Sequence, residues 1–374
     1  MKDKKNLLAI INLNYSGLEV VLCYFYFLKK KNYNFTIALG EFSLLEKLKN
    51  DSVNNEIIKD LDIKLITGNF KSENTIKFFI FNKLFFFLPK KFYFIFFYNF
   101  SLISILKIFF KSDCIFHEYG NDLKYTGIID FISIFNKKKI YLYNSATAPE
   151  FFLEYNPSIN GKIDIRKKST FLLYDENVRS VYEKIGFENF FETGYHRYNK
   201  DWIDYKINKC DEYYKINKKI IVIFSKNFDD KNIPKNLRIE IFSKIIKLIK
   251  KYYSYDIFIK PHPRDNLKIL KLIEKMFEKV NVTNLDSMYL IKNSDLTISL
   301  SSSIIFDALI LKRNHLDFYV KQAMRHQASG SRWSKLGILS TSSFDELETI
   351  VRDKKFTFNE SLIKSLPSTK LPIF

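Results

Sequence analysis

Short runs of consecutive apolar residues recur along the first half of the chain, each bounded by polar or turn-forming residues. They are "LLAIINL" (7–13), "FTIAL" (35–39), "IKLIT" (63–67), "CIFHEY" (114–119), "KIYLYN" (139–144) and "TFLLYD" (170–175). Runs without a polar alternate suit strands covered on both faces, and the stretches between them carry helical periodicity, so the pattern predicts αβ alternation around a parallel sheet. A polar passage rich in lysine and tyrosine fills 190–219, after which the pattern restarts with "IIVIFS" (220–225), "DIFIKPHP" (256–263), "VNVTN" (280–284), "LTISLS" (296–301) and "HLDFYV" (315–320). The restart predicts an α/β chain with two Rossmann-like parallel-sheet domains, residues 1–195 and 220–340. A linker joins them over 196–219, and a C-terminal helix and tail occupy 341–374. At 374 residues and 47% hydrophobic content, the chain is long enough for two cores.

Two such domains would face each other across a central cleft, with ligands bound outside the carboxyl ends of the strands. "HEYGND" (117–122), "KPHPRD" (260–265) and "SLSSS" (299–303) all follow predicted strands and so fall on those ends. The apolar, aromatic segment 85–110 is broken by Pro89, Lys90 and Lys91, and its remainder carries Asn99, two serines and Lys107. That reads as a buried or interfacial helix rather than a membrane span. The amino terminus reads as a first strand rather than a signal peptide, because Asn12 and Asn14 interrupt its short apolar run and no small-residue cleavage site follows.

Sixty Lys plus Arg against 41 Asp plus Glu give a formal charge of +19, which favours anionic partners: nucleic acid, an acidic membrane surface or phosphorylated metabolites. No RNP-like, zinc-finger or helix-turn-helix signature is present, so nucleic acid is left as a minor option and is not among the expected partners. Runs such as "FSKIIKLIKKYY" (242–253) read as solvated helix faces. Cys23, Cys114 and Cys210 are far apart and lack metal-ligand spacing, which argues against a disulfide framework or zinc site and fits a reducing cytoplasm. "KDLD" (59–62) is a three-residue DxD match approaching a strand, too short to indicate a metal.

His262 stands between Pro261 and Pro263, which restrict the backbone on both sides, and Lys260 and Arg264 add positive potential. An imidazole so held suits the neutralisation or protonation of a departing phosphate oxygen near neutral pH. Ser301, Ser302 and Ser303 open a predicted helix; hydroxyls there cap it, and the same geometry offers N–H groups to a phosphate. "HEYGND" supplies His117, Glu118 and Asp122 around Gly120, and a carboxylate here suits either a general base or a helix cap. After the first strand, Ser16 and Gly17 in "NYSGLE" allow close approach of a ligand. The loop "KQAMRHQASGSRWSKLG" (321–337) reads as lying over the cleft, with Arg325 and His326 available to a carboxylate or an anionic acceptor.

An acidic loop in the first domain, a His-Pro pair and a serine cluster in the second resemble the GT-B glycosyltransferases that use CMP-activated acidic sugars. The likeness is greatest to bacterial lipooligosaccharide sialyltransferases and capsule polysialyltransferases. The resemblance implies that His262 and Pro263 bind CMP and assist its departure, that Ser301 to Ser303 hold the phosphate, and that "EYG" (118–120) carries the base. Tyr119 stands where the family places its base, which leaves Glu118, His117 and Asp122 as candidates. It also implies an inverting, metal-independent transfer from a CMP-sugar to an oligosaccharide or glycolipid, without a cofactor. The place of work would be cytoplasmic and peripheral on the inner membrane, and the tail would cross back to the first domain. "KPHPR" with "SLSSSIIFDALILKR" is similar as well to CDP-glycerol glycerophosphotransferases, in which a polyol phosphate is transferred. A non-catalytic membrane-surface protein of capsule export is the reading from a different class.

Overall fold

The described strands are all parallel, and most of the central ones are strings of buried residues, because helices cover the sheet on either side. In the computed structural model of the protein, the described residues are 4–11, 15–31, 33–39, 42–67, 110–118, 139–143, 169–184, 186–226, 233–262, 265–300, 302–320, 333–334, 337–356 and 370. They form two compact units, Met1–Trp202 with Pro367–Phe374, and Ile203–Leu366.

Unit 1 runs β1 (Lys5–Ile11), α1 (Tyr15–Leu28), β2 (Tyr33–Leu39), α2 (Phe42–Lys49), α3 (Ser52–Asp60), β3 (Ile63–Thr67), β4 (Cys114–Glu118), β5 (Lys139–Tyr143), β6 (Thr170–Leu173), α4 (Arg179–Lys184) and β7 (Asn189–Glu192). Its strands lie in the order β3-β2-β1-β4-β5-β6-β7. The chain therefore winds one way from β1 to β3 and the other way from β4 to β7, so the order reverses between β1 and β4. Leu7 to Ile11 are all buried, and α1 seals one face with Leu18, Val21, Leu22 and Phe25. Each such side chain contributes about 1.5–3 kcal/mol on leaving water, so the sheet and its helices bury enough to hold the reversal point rigid. Residue 370 belongs to this unit: its N–H donates to Thr193 O over 2.8 Å and its ammonium lies 2.9 Å from Glu192 Oε2.

Helix α5 (Lys200–Tyr213) leads into unit 2, which continues with β8 (Ile220–Phe224), α6 (Lys235–Tyr252), β9 (Asp256–Lys260), α7 (Leu267–Met276), β10 (Val280–Val282), α8 (Ser287–Lys292), β11 (Leu296–Ser299), α9 (Ile305–Ile310), β12 (His315–Phe318), β13 (Ser340–Thr341) and α10 (Phe344–Asp353). The strand order is β10-β9-β8-β11-β12-β13, reversing between β8 and β11. Ile221, Ile223, Ile257, Ile259 and Ile298 face a core shared with α6, α7 and α10, while Ile220, Val222 and Phe224 pack with Leu290, Ile291 and Ala308 on the other side.

Two features go beyond the expectations. The stretch 196–219, expected as a linker, holds a 3₁₀ turn at His196–Tyr198 and the fourteen-residue α5. Ile203 and Ile207 of α5 pack with Met288 of α8, one apolar stripe among many charges. β7 and β13 were not expected, being short strands outside the apolar runs. The apolar segment 85–110 lies outside the described residues apart from Phe110. No helix among the described residues is long and apolar enough to cross a membrane.

Candidate functional site

In open parallel sheets, ligands bind outside the carboxyl ends of the strands where the strand order reverses. In unit 1 that point is flanked by the start of α1, which follows β1, and by Glu118, the last residue of β4. Gly17 sits in the first turn of α1, and a β-carbon placed there would stand 2.9 Å from Glu118 Oε2 and 3.3 Å from Tyr143 Oη. The helix start thus accommodates the carboxylate only because position 17 has no side chain. Glu118 is 7% exposed. Tyr143 donates a long hydrogen bond, 3.4 Å, to Gly17 O; burial and the adjacent Glu118 charge push its hydroxyl well above the usual tyrosine range. Tyr15, at the head of α1, donates to Asp51 Oδ2 over 2.8 Å. Asp51 also caps α3 through Asn54 N–H, which fixes the helix start from the other side.

Phe116 packs against Tyr24 and Phe25 of α1, so Phe116 and Glu118 share the α1 face and His117 takes the opposite one. His117 is a core histidine. Its Nδ1–H donates to Glu118 O over 2.6 Å, and desolvation lowers its pKa to about 4. Of the three candidates for the base, Glu118 is therefore the one at the reversal point among the described residues, while Asp122 and Gly120 lie outside them. Ser16 is half-buried beside Gly17. A residue unmarked by the sequence pattern, His196, is also buried, its ring tilted against Tyr24 with centroids 4.5 Å apart.

In unit 2 the reversal point is built from the ends of β8, β9 and β11, which are adjacent. Ser225, directly after β8, is buried. Its hydroxyl oxygen accepts the N–H of His262 over 2.8 Å, and its own N–H donates to Lys260 O over 3.0 Å. His262 O in turn accepts Asp265 N–H over 2.9 Å. The histidine backbone is thus tied on both sides while its side chain is half-buried. Arg238 of α6, almost fully buried, donates through Nε to Ile233 O over 3.1 Å and places Nη1 3.8 Å from Asp265 Oδ1, bracing the turn that follows His262. Pro263 and Arg264 lie outside the described residues.

Lys260 donates to Asn284 O over 3.0 Å. Asp286 caps α8 by accepting Met288 N–H at 2.9 Å and Tyr289 N–H at 3.2 Å, and its other oxygen takes Lys206 Nζ at 2.7 Å. Burial alone would raise the Asp286 pKa, but Lys206, the capping amides and Lys260 outweigh it and hold the group below its ordinary value. The Lys206 side chain is 3% exposed, an ion pair that the polarity of the segment concealed.

The end of β11 joins that of β8, since Leu300 N–H donates to Phe224 O over 3.2 Å. Beyond it Ser302 and Ser303 precede the helix, Ser303 within a turn. The residue at the N-cap of α9 is Ile304, which offers no side-chain cap, and the nearest contact is Ile304 N–H to Ser302 Oγ at 3.4 Å. Ser302 and Ser303 are half-buried, and Ser301 lies outside the described residues. The expectation that serine hydroxyls cap this helix is corrected by the isoleucine at its start. Arg325 and His326 lie outside the described residues.

Below this turn runs a buried polar chain that the sequence reading missed. Thr297 Oγ1 lies 2.7 Å from His315 Nδ1, and His315 Nε2 lies 3.1 Å from Ser299 Oγ. Ser299 donates to Asp317 Oδ1 over 3.1 Å, and Ser340 donates to Asp317 Oδ2 over 2.9 Å. A neutral imidazole protonated on Nε2 lets Ser299 accept from the ring while donating to Asp317, and Thr297 Oγ1 stands between His315 Nδ1 and Asn314 O, the latter 3.1 Å away. Desolvation lowers the His315 pKa to about 3, in accord with the neutral ring. Serine, histidine and aspartate are together here, but Ser299 and Asp317 are inaccessible, so the chain fixes the end of β11 and offers no nucleophile. Among the described residues no group of three His, Cys, Asp or Glu side chains stands close enough to hold a metal ion.

Comparison with protein-family models gives no match, and comparison with curated protein sequences gives none. Solved structures are similar in fold. UDP-GlcNAc 2-epimerase from Methanocaldococcus jannaschii matches with a TM-score of 0.57 at 16% identity, over 95% of this chain and 94% of that one. A putative UDP-N-acetylglucosamine 2-epimerase from Listeria monocytogenes matches with a TM-score of 0.56 at 10% identity, over 94% and 89%. UDP-GlcNAc 2-epimerase from Neisseria meningitidis bound to UDP-GlcNAc matches with a TM-score of 0.51 at 14% identity, over 96% and 92%. The fold is α/β of the GT-B class, with two Rossmann-like parallel-sheet units.

Proposed function

We propose that the chain is an inverting glycosyltransferase that moves a CMP-activated acidic sugar onto an oligosaccharide or glycolipid acceptor. The observation that carries this reading is the hydrogen bond from His262 N–H to Ser225 Oγ, which holds the histidine at the strand-order reversal of unit 2, beside the end of β11 that leads to Ser302 and Ser303. Parallel sheets bind nucleotides at such a point. The fold likeness to epimerases described with UDP-GlcNAc supports a nucleotide-sugar ligand.

In the proposed reaction the acceptor hydroxyl gives its proton to Glu118 and its oxygen attacks the anomeric carbon, while the bond from that carbon to the phosphate oxygen breaks. CMP departs with the bonding pair. His262 and the hydroxyls of Ser302 and Ser303 meet the developing charge on the phosphate, and Lys260 adds positive potential. Residues 263, 264 and 301 extend the donor side, and Ser16, Gly17, Arg325 and His326 serve the acceptor or the sugar. No metal or cofactor takes part. A single displacement gives inversion. The reaction takes place at the cytoplasmic face of a bacterial inner membrane.

A second reading, transfer of glycerol phosphate from CDP-glycerol, is favoured by the run "SSIIFDALILKR" (302–313), whose Asp307 is buried on α9. Incubating the protein with CMP-sialic acid, CDP-glycerol or UDP-GlcNAc, together with a saccharide acceptor, distinguishes them. Release of CMP from the first donor, lost in His262→Ala, supports the proposal. Release from CDP-glycerol alone supports the second reading, reaction of UDP-GlcNAc alone overturns both, and binding without turnover identifies a non-catalytic protein.

A further inference from the structure

Large apolar side chains on the surface cluster on one short helix. Among the described residues five are exposed, and three of these, Leu267 at 50%, Leu272 at 39% and Met276 at 50%, belong to α7. The helix needs none of them for its own packing, because Ile269, Leu270 and Ile273 already fill the groove against α6 and β10. At 100° per residue the outward arc of α7 carries Lys268, Lys271 and Lys275 at its crest, with Leu272 and Met276 along one flank and Leu267 at the other. Lys271 is paired with Glu274 at 2.8 Å. Lys268 and Lys275 have no carboxylate within ion-pair distance among the described residues. Toward its N-terminal end the face continues into a cavity of about 460 Å³ lined by Pro234, Lys235, Asn266, Lys268 and Ile269, which adds another ammonium.

The neighbouring α6 provides the contrast. Its outward positions are also lysines, Lys244 paired with Glu240 among them, yet none of its large apolar residues is exposed. A solvated face needs only the charges. Exposed aliphatic groups beside unpaired lysines match a bilayer with anionic headgroups, where ammonium groups meet phosphates and short aliphatic chains enter the acyl boundary. A polyanion such as RNA or an acidic polysaccharide would match the lysines and leave Leu272 and Met276 unexplained.

We infer that the outward face of α7 docks on an anionic lipid bilayer through Lys268, Lys271 and Lys275, with Leu272 and Met276 entering the interface. This deepens the proposed location of the protein and does not depend on which donor it uses, so failure here leaves the CMP-release assay standing. The experiment is co-sedimentation of the full chain with vesicles of phosphatidylcholine containing about 30% phosphatidylglycerol, and with phosphatidylcholine alone, at about 0.1 M salt. Wild type is expected to partition to the anionic vesicles only.

Lys268→Glu with Lys275→Glu is expected to lower the partition coefficient at least about tenfold. Leu272→Ser with Met276→Ser should lower it about fivefold. A charge-matched control, Lys64→Glu with Lys184→Glu in unit 1, should lower it less than twofold, roughly the long-range part of the charge change. The inference is overturned if wild type does not bind anionic vesicles, or if the control matches the α7 pair. It is also overturned if the Leu272 and Met276 variant binds as wild type, which would mark the face as a polyanion site. Concentration-dependent self-association lost in that same variant, in place of vesicle binding, would assign the face to a second copy of the chain and overturn it equally.

Discussion

The Glu118 carboxylate lies against the Cα of Gly17, so near that a β-carbon there would stand 2.9 Å from Oε2. Position 17 is helical, where alanine is intrinsically favoured over glycine by about 1 kcal/mol. Gly17→Ala is therefore expected to leave stability within about 1 kcal/mol of wild type while forcing the carboxylate aside. If Glu118 accepts the proton of the incoming hydroxyl, the variant loses at least about tenfold in kcat with the donor KM unchanged, and Glu118→Gln loses more. Steady-state kinetics of both variants check this; full activity in Gly17→Ala would remove Glu118 from the reaction.

Ser225 Oγ accepts the backbone N–H of His262. Ser225→Ala removes one hydrogen bond of about 0.5–1.5 kcal/mol, so kcat/KM should fall about two- to tenfold. His262→Ala removes the side chain at the same place and should cost about 10²- to 10⁴-fold. Equal losses in the two variants, or a larger loss in Ser225→Ala, would contradict a chemical role for the imidazole.

Breaking the buried Lys206 and Asp286 pair at one end strands the other charge. Lys206→Met is expected to destabilise the protein by about 3–5 kcal/mol in denaturant unfolding, and the double variant Lys206→Met with Asp286→Asn by less than the single one. Additive losses would show that the two side chains stabilise the fold separately.

His117, His196 and His315 are buried, and desolvation sets their folded pKa values at about 4, 4 and 3 against 6.5 when exposed. A folded value below the unfolded one means that the unfolded chain takes up protons first as the pH falls. Their contribution to stability is complete above pH 6.5 and is lost progressively below it. Each histidine adds about 1.4 kcal/mol per pH unit to the slope once the unfolded chain is protonated. Urea unfolding between pH 4.5 and 7 should show stability rising with pH and then flattening. His196→Phe, set among Tyr24 and Phe27, should remove about one proton's worth of that slope. An unchanged slope would mean that His196 is protonated in the folded state.

The parallel strands were legible because they are consecutive apolar runs, which few structures other than a covered sheet accommodate. The expectation that Glu118, His262 and Ser302 lie at strand ends followed from their place directly after apolar runs. What escaped was helical or polar in disguise. In α5 the apolar stripe of Ile203, Ile207 and Cys210 has helical spacing, but the surrounding Lys, Asp and Tyr residues made the segment read as a linker. In β11 and β12, Thr297, Ser299, His315 and Asp317 alternate with buried leucine and isoleucine, a period of two that marks one polar face inside the core. Lys206 gave no signal at all, since nothing in its own neighbourhood announces that its partner stands 80 positions later. Four-residue β7 has only half-buried side chains after its first residue, too little for pattern alone.

The docking of residue 370 on Thr193 makes unit 2 an insertion within unit 1 by chain order. During synthesis the first sheet is therefore translated long before the backbone amide that closes it at β7 emerges. Until that amide arrives, the Thr193 carbonyl must be satisfied by solvent. Chains interrupted after 366 would carry both sheets yet leave the Thr193 carbonyl without its partner amide.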